Sequence, residues 1–142
     1  LILRRDGMKK TRLINSALSS VIAEMGHLDE LTVADAGLPI PIDMQRIDLA
    51  VAQDIPRMLS VLDAIFSELK VEGVIIAQEC KSHSPEFYNK LIDVIEAAEN
   101  KIVISLVSHS DLKRLTVNSK AIVRTGEFTP FANIILQSGV IF

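Results

Sequence analysis

Apolar positions along the chain form two kinds of pattern that follow one another repeatedly. Short, nearly continuous apolar runs predict strands at 31–34, 46–51, 73–77, 102–107, 121–124, 133–136 and 140–142. Apolar residues spaced three and four apart predict helices at 15–25, 54–69 and 84–98, with a shorter one at 111–115. Strands that alternate with helices indicate an α/β fold, which we expect to be a single-domain three-layer sandwich with a largely parallel central sheet flanked by helices.

Residues with capping preferences place the ends of the predicted helices. Asn15 or Ser16 can cap the first helix, and Gly26 suits a left-handed position just after its last turn. Ser84 is a cap candidate for the third long helix, since Pro85 then occupies the first turn, where proline is favoured. The intervening segment 35–41 contains two prolines and a glycine, so it cannot continue the strand before it.

Composition describes a globular chain with unusually apolar character. The chain has 142 residues, 49% of them hydrophobic and 23% charged, and its mean hydropathy is +0.33. A chain of this length fits one domain. Because part of the apolar surface would otherwise face water, we expect it to be buried against other subunits.

Charge and cysteine content exclude several classes of function. The net charge is −3 and the lysines and arginines are scattered, so we expect no nucleic-acid partner. The single cysteine, Cys80, rules out a disulfide within the chain and favours a reducing compartment. No apolar run approaches the length of about 20 residues that spans a bilayer, so we expect no membrane partner and a cytoplasmic location.

The first seven residues, LILRRDG, precede Met8-Lys9-Lys10, which reads as a natural start. We therefore expect 1–7 to be an upstream or vector-derived extension and 8–142 to be the single folded domain.

The segment GHLDELTVADAGLPIP places a histidine and an aspartate at opposite ends of one predicted strand. His27 directly follows a helix, where it could simply interact with the last carbonyl groups, or it could serve as a proton-transfer group near neutral pH. Asp35 ends the strand, where it could form a turn or bind a polar ligand. Both readings remain open at each position.

A second histidine occupies a position comparable to that of Asp35. His109 follows the predicted strand 102–107, and ligands in α/β folds collect beyond the carboxyl ends of the strands. Asp35 and His109 could therefore meet in one crevice. The three histidines lack close metal-ligand spacing, the glycines are dispersed, and Ser108 lacks a nucleophile elbow, so we expect no metal, no cofactor and no nucleotide chemistry.

With these residues in place, the chain resembles the D-ribose pyranase family, relatives of the fucose mutarotases. The likeness extends from Met8 to Phe142 through five stretches in order: MKKTRLINSALSSVIAEMGH, LTVADAGLPIP, RIDLAV, VEGVIIAQECKSHSP and RTGEFTPFANIILQSGVIF. The GLPIP and RIDLA stretches resemble the ribose branch more than the fucose branch.

The resemblance implies roles for individual residues. His27 matches the catalytic proton donor of the family, and Asp35 and His109 match its substrate-binding carboxylate and histidine. Phe131, Ala132 and Asn133 fall on its C-terminal sugar-contacting segment, with Asn133 binding a hydroxyl through its amide. The resemblance also implies a homo-oligomer, a decamer of two pentameric rings, with sugar pockets at subunit boundaries.

The implied activity is interconversion of the β-pyranose and β-furanose forms of D-ribose by acid–base ring opening and reclosure without a cofactor. Phe131 departs from the family, which usually has tyrosine there; phenylalanine keeps the aromatic face but lacks the hydroxyl. Two alternatives stay open: a mutarotase for another sugar such as fucose, and a non-catalytic sugar-binding or uptake-accessory protein.

Overall fold

A six-stranded sheet forms the centre of the protein. The computed structural model describes residues 8–99 and 101–142, so the predicted extension at 1–7 lies outside the described residues. The strands are β1 (Glu30–Ala34), β2 (Arg46–Asp48), β3 (Val71–Ala77), β4 (Val103–Val107), β5 (Ile122–Arg124) and β6 (Ile134–Ser138). They lie in the order β2-β5-β1-β6-β3-β4. The pairs β2–β5, β5–β1 and β3–β4 are parallel, whereas β6 is antiparallel to both of its neighbours. The prediction of a largely parallel sheet is confirmed.

Helices cover both faces of this sheet. In the described residues they are α1 (Ser16–Glu24), α2 (Met58–Phe66), α3 (Gln78–His83), α4 (Pro85–Ala98) and α5 (His109–Leu115), followed by a 3₁₀ turn at Thr116–Asn118. Alternate residues of β6 point to opposite faces. Ile134 and Leu136 pack in the main core with α1, α2 and α4, whereas Ile135 packs with Leu112 of α5 on the other face. This arrangement confirms the predicted three-layer α/β sandwich.

Several predicted boundaries differ from the structure. The segment 46–51 is a strand only as far as Asp48, and residues 140–142 are not a strand. Helix α2 begins at Met58 instead of residue 54, because Asp54 has a left-handed φ of 59° that a helix cannot include. The short helix α3 was not predicted from the sequence. Strand β4 was predicted to be buried but lies at the sheet edge, where the side chain of Val103 is 68% exposed.

The caps are partly as predicted. Asn15 caps α1, accepting a hydrogen bond from the Leu18 N–H. The left-handed assignment to Gly26 is wrong: no described glycine has a positive φ, and Leu28 has a φ of 70° instead. Helix α1 ends with Met25 in an extended conformation, so no left-handed residue is needed there. Ser84 does not cap α4 through its side chain, because its hydroxyl donates to the Pro130 carbonyl.

The two ends of the parallel strands define two sides of the sheet that carry different loops. Strands β1, β3, β4 and β5 point the same way, so their carboxyl ends and the start of β6 share one edge, here called the carboxyl edge. The opposite edge, here called the amino edge, holds the starts of those strands and the end of β6. Throughout the described ranges, no helix combines the length and apolar character required to cross a membrane.

Candidate active site

The loop after β1 places Asp35 at the carboxyl edge. Its Oδ1 accepts a hydrogen bond of 3.0 Å from the Gly37 N–H. Its backbone N–H donates to Asn133 Oδ1 at 2.9 Å, and Asn133 Nδ2 donates to Asp35 Oδ2 at 3.3 Å. The side chain of Asn133 therefore bonds the aspartate twice and fixes the direction of its carboxylate.

The electrostatic environment of Asp35 disfavours its charged form. Burial raises the pKa of the Asp35 carboxyl above its ordinary value, because a partly dehydrated carboxylate loses solvation. Hydrogen bonds from Gly37 and Asn133 and the nearby His109 lower the pKa but do not cancel the effect of burial. A carboxyl with a raised pKa exchanges protons more readily near neutral pH.

Helix α5 places His109 opposite this carboxylate. Ser108 caps the helix by accepting from the Asp111 N–H at 3.1 Å. The backbone N–H of His109 donates to both carboxylate oxygens of Glu79, at 3.0 and 3.2 Å. The Nδ1 of His109 is buried and has no hydrogen-bond partner among the described residues. A buried polar atom without a partner is costly, so this nitrogen is well placed to bond a ligand.

An aromatic side chain lies between two histidines at the same edge. Phe131 has a left-handed φ of 61°, an uncommon conformation for a residue other than glycine. Its ring lies 5.0 Å from the ring of His109 in an edge-on arrangement and 5.4 Å from that of His83. The Ser84 hydroxyl donates to the Pro130 carbonyl at 2.9 Å and joins the two segments that carry His83 and Phe131.

These groups surround an open cavity of about 480 Å³. Asp35, His109 and Phe131 all line it, so the structure brings together three of the residues singled out in the sequence. The wall also contains Lys113, Arg124, Glu127 and Thr129. An aromatic face beside a few convergent polar groups is typical of small-molecule sites, and here it suits a small polyhydroxylated ligand.

Ala132 and Asn133 lie behind this wall. Both are fully buried, and neither side chain lines the cavity. The Asn133 amide is already bonded to Asp35, so in this conformation it orients the carboxylate.

Glu127 is a site residue that sequence reasoning missed. Its side chain is only 1% exposed, and its Oε1 accepts from the Met58 N–H at the start of α2. Its Oε2 accepts from the Thr129 hydroxyl at 2.6 Å, and its carbonyl accepts from the Ala36 N–H. Glu127 thus joins the Asp35 loop to the loop that carries Phe131. The stretch RTGEF carries no local signal for this role, because the partners of Glu127 are distant in sequence.

His27 is not part of the same wall. It precedes β1 and therefore lies at the amino edge, whereas Asp35 follows the strand. The backbone from Glu30 to Asp35 spans roughly 16 Å at the usual rise of an extended strand. The His27 side chain is 49% exposed, and its Nε2 lies 2.9 Å from Glu72 Oε1. The partner of His27 is thus a carboxylate, and not the last carbonyl groups of α1 that the sequence also allowed.

Within residues 8–99 and 101–142, no group of three or more His, Cys, Asp or Glu side chains is arranged to hold a metal ion.

Comparison with known proteins identifies a family and a similar protein that both match this chain over most of its length. The model of the RbsD / FucU transport protein family matches residues 8–141. A protein of Coprothermobacter proteolyticus named D-ribose pyranase is 56% identical over 135 residues, which cover 95% of this chain and 100% of that protein.

Two solved structures with bound sugars are also similar. Bacillus subtilis RbsD complexed with D-ribose is 40% identical, with a TM-score of 0.86 and coverage of 95% of this chain and 100% of that chain. The fucose mutarotase from Streptococcus pneumoniae in complex with L-fucose is 26% identical, with a TM-score of 0.75 and coverage of 91% and 95%.

Proposed function

Because the chain belongs to the RbsD / FucU transport protein family, we propose that it is a D-ribose pyranase, an isomerase that interconverts the β-pyranose and β-furanose forms of D-ribose. The observation that carries the proposal is the cavity at the carboxyl edge, where Asp35, His109 and Phe131 converge. The full-length likeness to proteins named D-ribose pyranase, and to a structure with D-ribose bound, supports ribose as the substrate.

The reaction needs two positioned proton-transfer groups. To open the pyranose, a base removes the proton of the anomeric hydroxyl while an acid protonates the ring oxygen. The bond between that oxygen and the anomeric carbon breaks, and an open-chain aldehyde forms. The 4-hydroxyl then attacks the aldehyde carbon, and the same groups return the protons with reversed roles. No electrons leave the sugar, and positioned acids and bases contribute about 10²–10⁴-fold to such steps.

The residues of the cavity fit the binding part of this reaction. Asp35 accepts hydrogen bonds from sugar hydroxyls, and His109 offers its unpartnered Nδ1 to another oxygen. The ring of Phe131 packs against the apolar face of the sugar. We assign Ala132 and Asn133 to the same substrate-binding segment. The Asn133 amide either bonds a sugar hydroxyl once the sugar displaces Asp35 from it, or acts on the sugar indirectly by orienting the Asp35 carboxylate.

His27 takes the role of catalytic proton donor, but it cannot reach the cavity of its own chain. A second copy of the chain that presents its amino edge to the carboxyl edge of the first would supply the missing histidine. Apolar side chains are exposed at both edges: Leu28 in the His27 loop and Phe128 in the wall of the cavity. We therefore propose a homo-oligomer with each site completed by a neighbour. The decamer of two pentameric rings implied by the resemblance meets this requirement, and native mass spectrometry would test the subunit number.

The protein's proposed location is the cytoplasm. The single cysteine is consistent with a reducing compartment, because it lies buried in the core as a free thiol.

Exchange between the ring forms of D-ribose, followed by NMR magnetisation transfer, tests the activity directly. We expect the protein to accelerate exchange catalytically and His27→Ala to reduce the acceleration by about 10²-fold or more, as expected for removal of an acid–base group. Saturable ribose binding without accelerated exchange would show a sugar-binding protein instead. The same assay with L-fucose and other sugars would reveal a different substrate preference.

A further inference from the structure

The loop that carries His27 is held firmly at the amino edge. The Leu28 N–H donates to the Ser138 carbonyl, and the Ser138 N–H donates to the Asp29 carbonyl, both at 2.9 Å. The Gly26 N–H donates to Asp29 Oδ2 at 2.8 Å, and the Ser138 hydroxyl donates to the Gly26 carbonyl. Three of these hydrogen bonds fix the backbone on both sides of His27 to Ser138 at the end of β6, and the fourth closes the loop on itself.

The backbone beside His27 is also in an unfavourable conformation. Leu28 has a φ of 70°, although a leucine in the left-handed region is strained. Strain of this kind persists only where the surrounding structure imposes it, and it is concentrated at functional sites. Here the hydrogen bonds to Ser138 and Asp29 impose the strained conformation directly beside His27.

One side chain from a different strand contacts the imidazole. Glu72, the second residue of β3, places its Oε1 at 2.9 Å from His27 Nε2. An ionised carboxylate can only accept hydrogen bonds, so Nε2 carries a proton. Nδ1 is then the ring atom left to exchange a proton with the sugar: it accepts a proton in the neutral ring and donates one from the protonated ring. No described residue bonds to it.

The contact between His27 and Glu72 contributes little to folding. Their side chains are 49% and 42% exposed, and ion pairs at such positions add little stability. The loop does not need the pair, since four other hydrogen bonds already fix it. A histidine held by a carboxylate is instead the arrangement that fixes the tautomer and direction of an acid–base group.

We propose that Glu72 is a positioning residue for His27: it fixes the tautomer with the proton on Nε2 and directs Nδ1 toward the sugar site of a neighbouring copy. The inference rests on the proposed function, because it assigns Glu72 a role only through the proton transfer by His27. In the variant without this carboxylate, the imidazole would rotate and exchange its tautomers freely. Binding of the sugar should change little, because the carboxylate of Glu72 is directed at His27 and is given no contact with the sugar.

The test compares the full-length oligomeric protein with Glu72→Ala, Glu72→Gln and a matched control. Glu99→Gln is the control, since it removes another exposed ion pair, that between Lys70 Nζ and Glu99 Oε2, also 2.9 Å long. We expect Glu72→Ala to lower the exchange rate at saturating ribose by about tenfold, a modest part of what acid–base catalysis contributes. The half-saturating ribose concentration and the melting temperature should stay close to those of the unchanged protein. The exchange rate of Glu72→Gln should lie between those of Glu72→Ala and the unchanged protein, because its amide oxygen still accepts a hydrogen bond from Nε2. Glu99→Gln should have no effect on exchange.

Nitrogen-15 NMR of the imidazole gives a second readout that a merely structural role would not change. The unchanged protein should show the tautomer with the proton on Nε2, and Glu72→Ala should show averaged tautomers. Full exchange activity in Glu72→Ala, while His27→Ala is impaired, would overturn the role of Glu72 alone. A rise in half-saturating ribose at unchanged maximal rate would also overturn it. An unchanged protein that does not accelerate ribose exchange would overturn the proposed function and this inference together.

Discussion

Replacing Asn133 with alanine tests how the buried core controls the carboxylate of the site. The Asn133 amide makes two hydrogen bonds to Asp35, one to its backbone at 2.9 Å and one to its carboxylate at 3.3 Å. A neutral hydrogen bond contributes about 0.5–1.5 kcal/mol and one to a charged group about 1.5–3 kcal/mol. Taking the lower end for the longer bond, we expect Asn133→Ala to reduce the free energy of unfolding by about 2–3 kcal/mol at neutral pH.

The same substitution should change the pH dependence in a defined direction. Burial raises the pKa of Asp35, and the Asn133 hydrogen bond partly opposes that rise, so its removal should raise the pKa further. A carboxyl whose folded-state pKa is raised favours folding below its ordinary pKa, and that contribution disappears as the pH rises through the folded-state value. The destabilisation by Asn133→Ala should therefore be larger at pH 7 than near pH 3. Because Asp35 binds sugar hydroxyls as a carboxylate, the rate of ribose exchange should fall as Asp35 becomes protonated at low pH. This acid limb of the pH profile should move to higher pH in Asn133→Ala.

Urea unfolding at both pH values and the pH profile of exchange by NMR measure these two effects. Protein concentration must be equal in all samples, because association contributes to apparent stability. Gln137→Ala is the matched control: it lies on the same strand, and its amide donates to Glu30 Oε2 at 2.9 Å, away from the cavity. Gln137→Ala should leave the acid limb in place. An acid limb that stays fixed or moves to lower pH in Asn133→Ala would refute the reasoning.

Three further outcomes follow from the packing. Gly126→Ala should destabilise the protein by about 1–3 kcal/mol, because the new methyl would lie 2.7 Å from the Ala52 carbonyl oxygen. An unchanged melting temperature would contradict this. Gly26→Ala is the control, because its methyl would meet nothing closer than 3.7 Å. Burial raises the pKa of the Cys80 thiol to about 11, so thiol reagents at neutral pH should label it only in urea, and labelling of the folded protein would be inconsistent with that burial. Phe131→Tyr should lower the half-saturating ribose concentration by about 2–12-fold if the phenol gains one hydrogen bond, whereas weaker binding would show that the cavity is adapted to phenylalanine.

Local patterns predicted the elements whose signals lie within the element itself. Helix α4 begins at Pro85 as expected, because a proline in the first turn and a regular apolar face both act locally. Strand β4 was recognised but misplaced in the sheet. Its apolar residues suit either a buried strand or an edge that meets another subunit, and only the topology separates the two.

The carboxylates that organise the site could not be predicted in this way. Glu79 bonds a residue 30 positions away, Glu72 one 45 positions away and Glu127 one 69 positions away. Nothing in their immediate sequence marks them, since exposed and buried glutamates have the same local patterns. Asp35 and His109 were predictable, because each follows a strand and parallel strands bring their carboxyl ends together. The separation of His27 from them follows from the same geometry.

Ribose exchange in mixed oligomers tests the central claim, that one copy supplies His27 and its neighbour supplies Asp35. His27→Ala chains purified alone should accelerate exchange about 10²-fold less than the unchanged protein, and Asp35→Asn chains purified alone should also be strongly impaired. When the two are coexpressed at equal levels and assemble at random, about one quarter of the sites should combine an intact His27 with an intact Asp35 from adjacent subunits. The mixture should therefore recover about a quarter of the unchanged protein's activity. A mixed oligomer that remains inactive would contradict the account, because both groups would then have to come from the same chain.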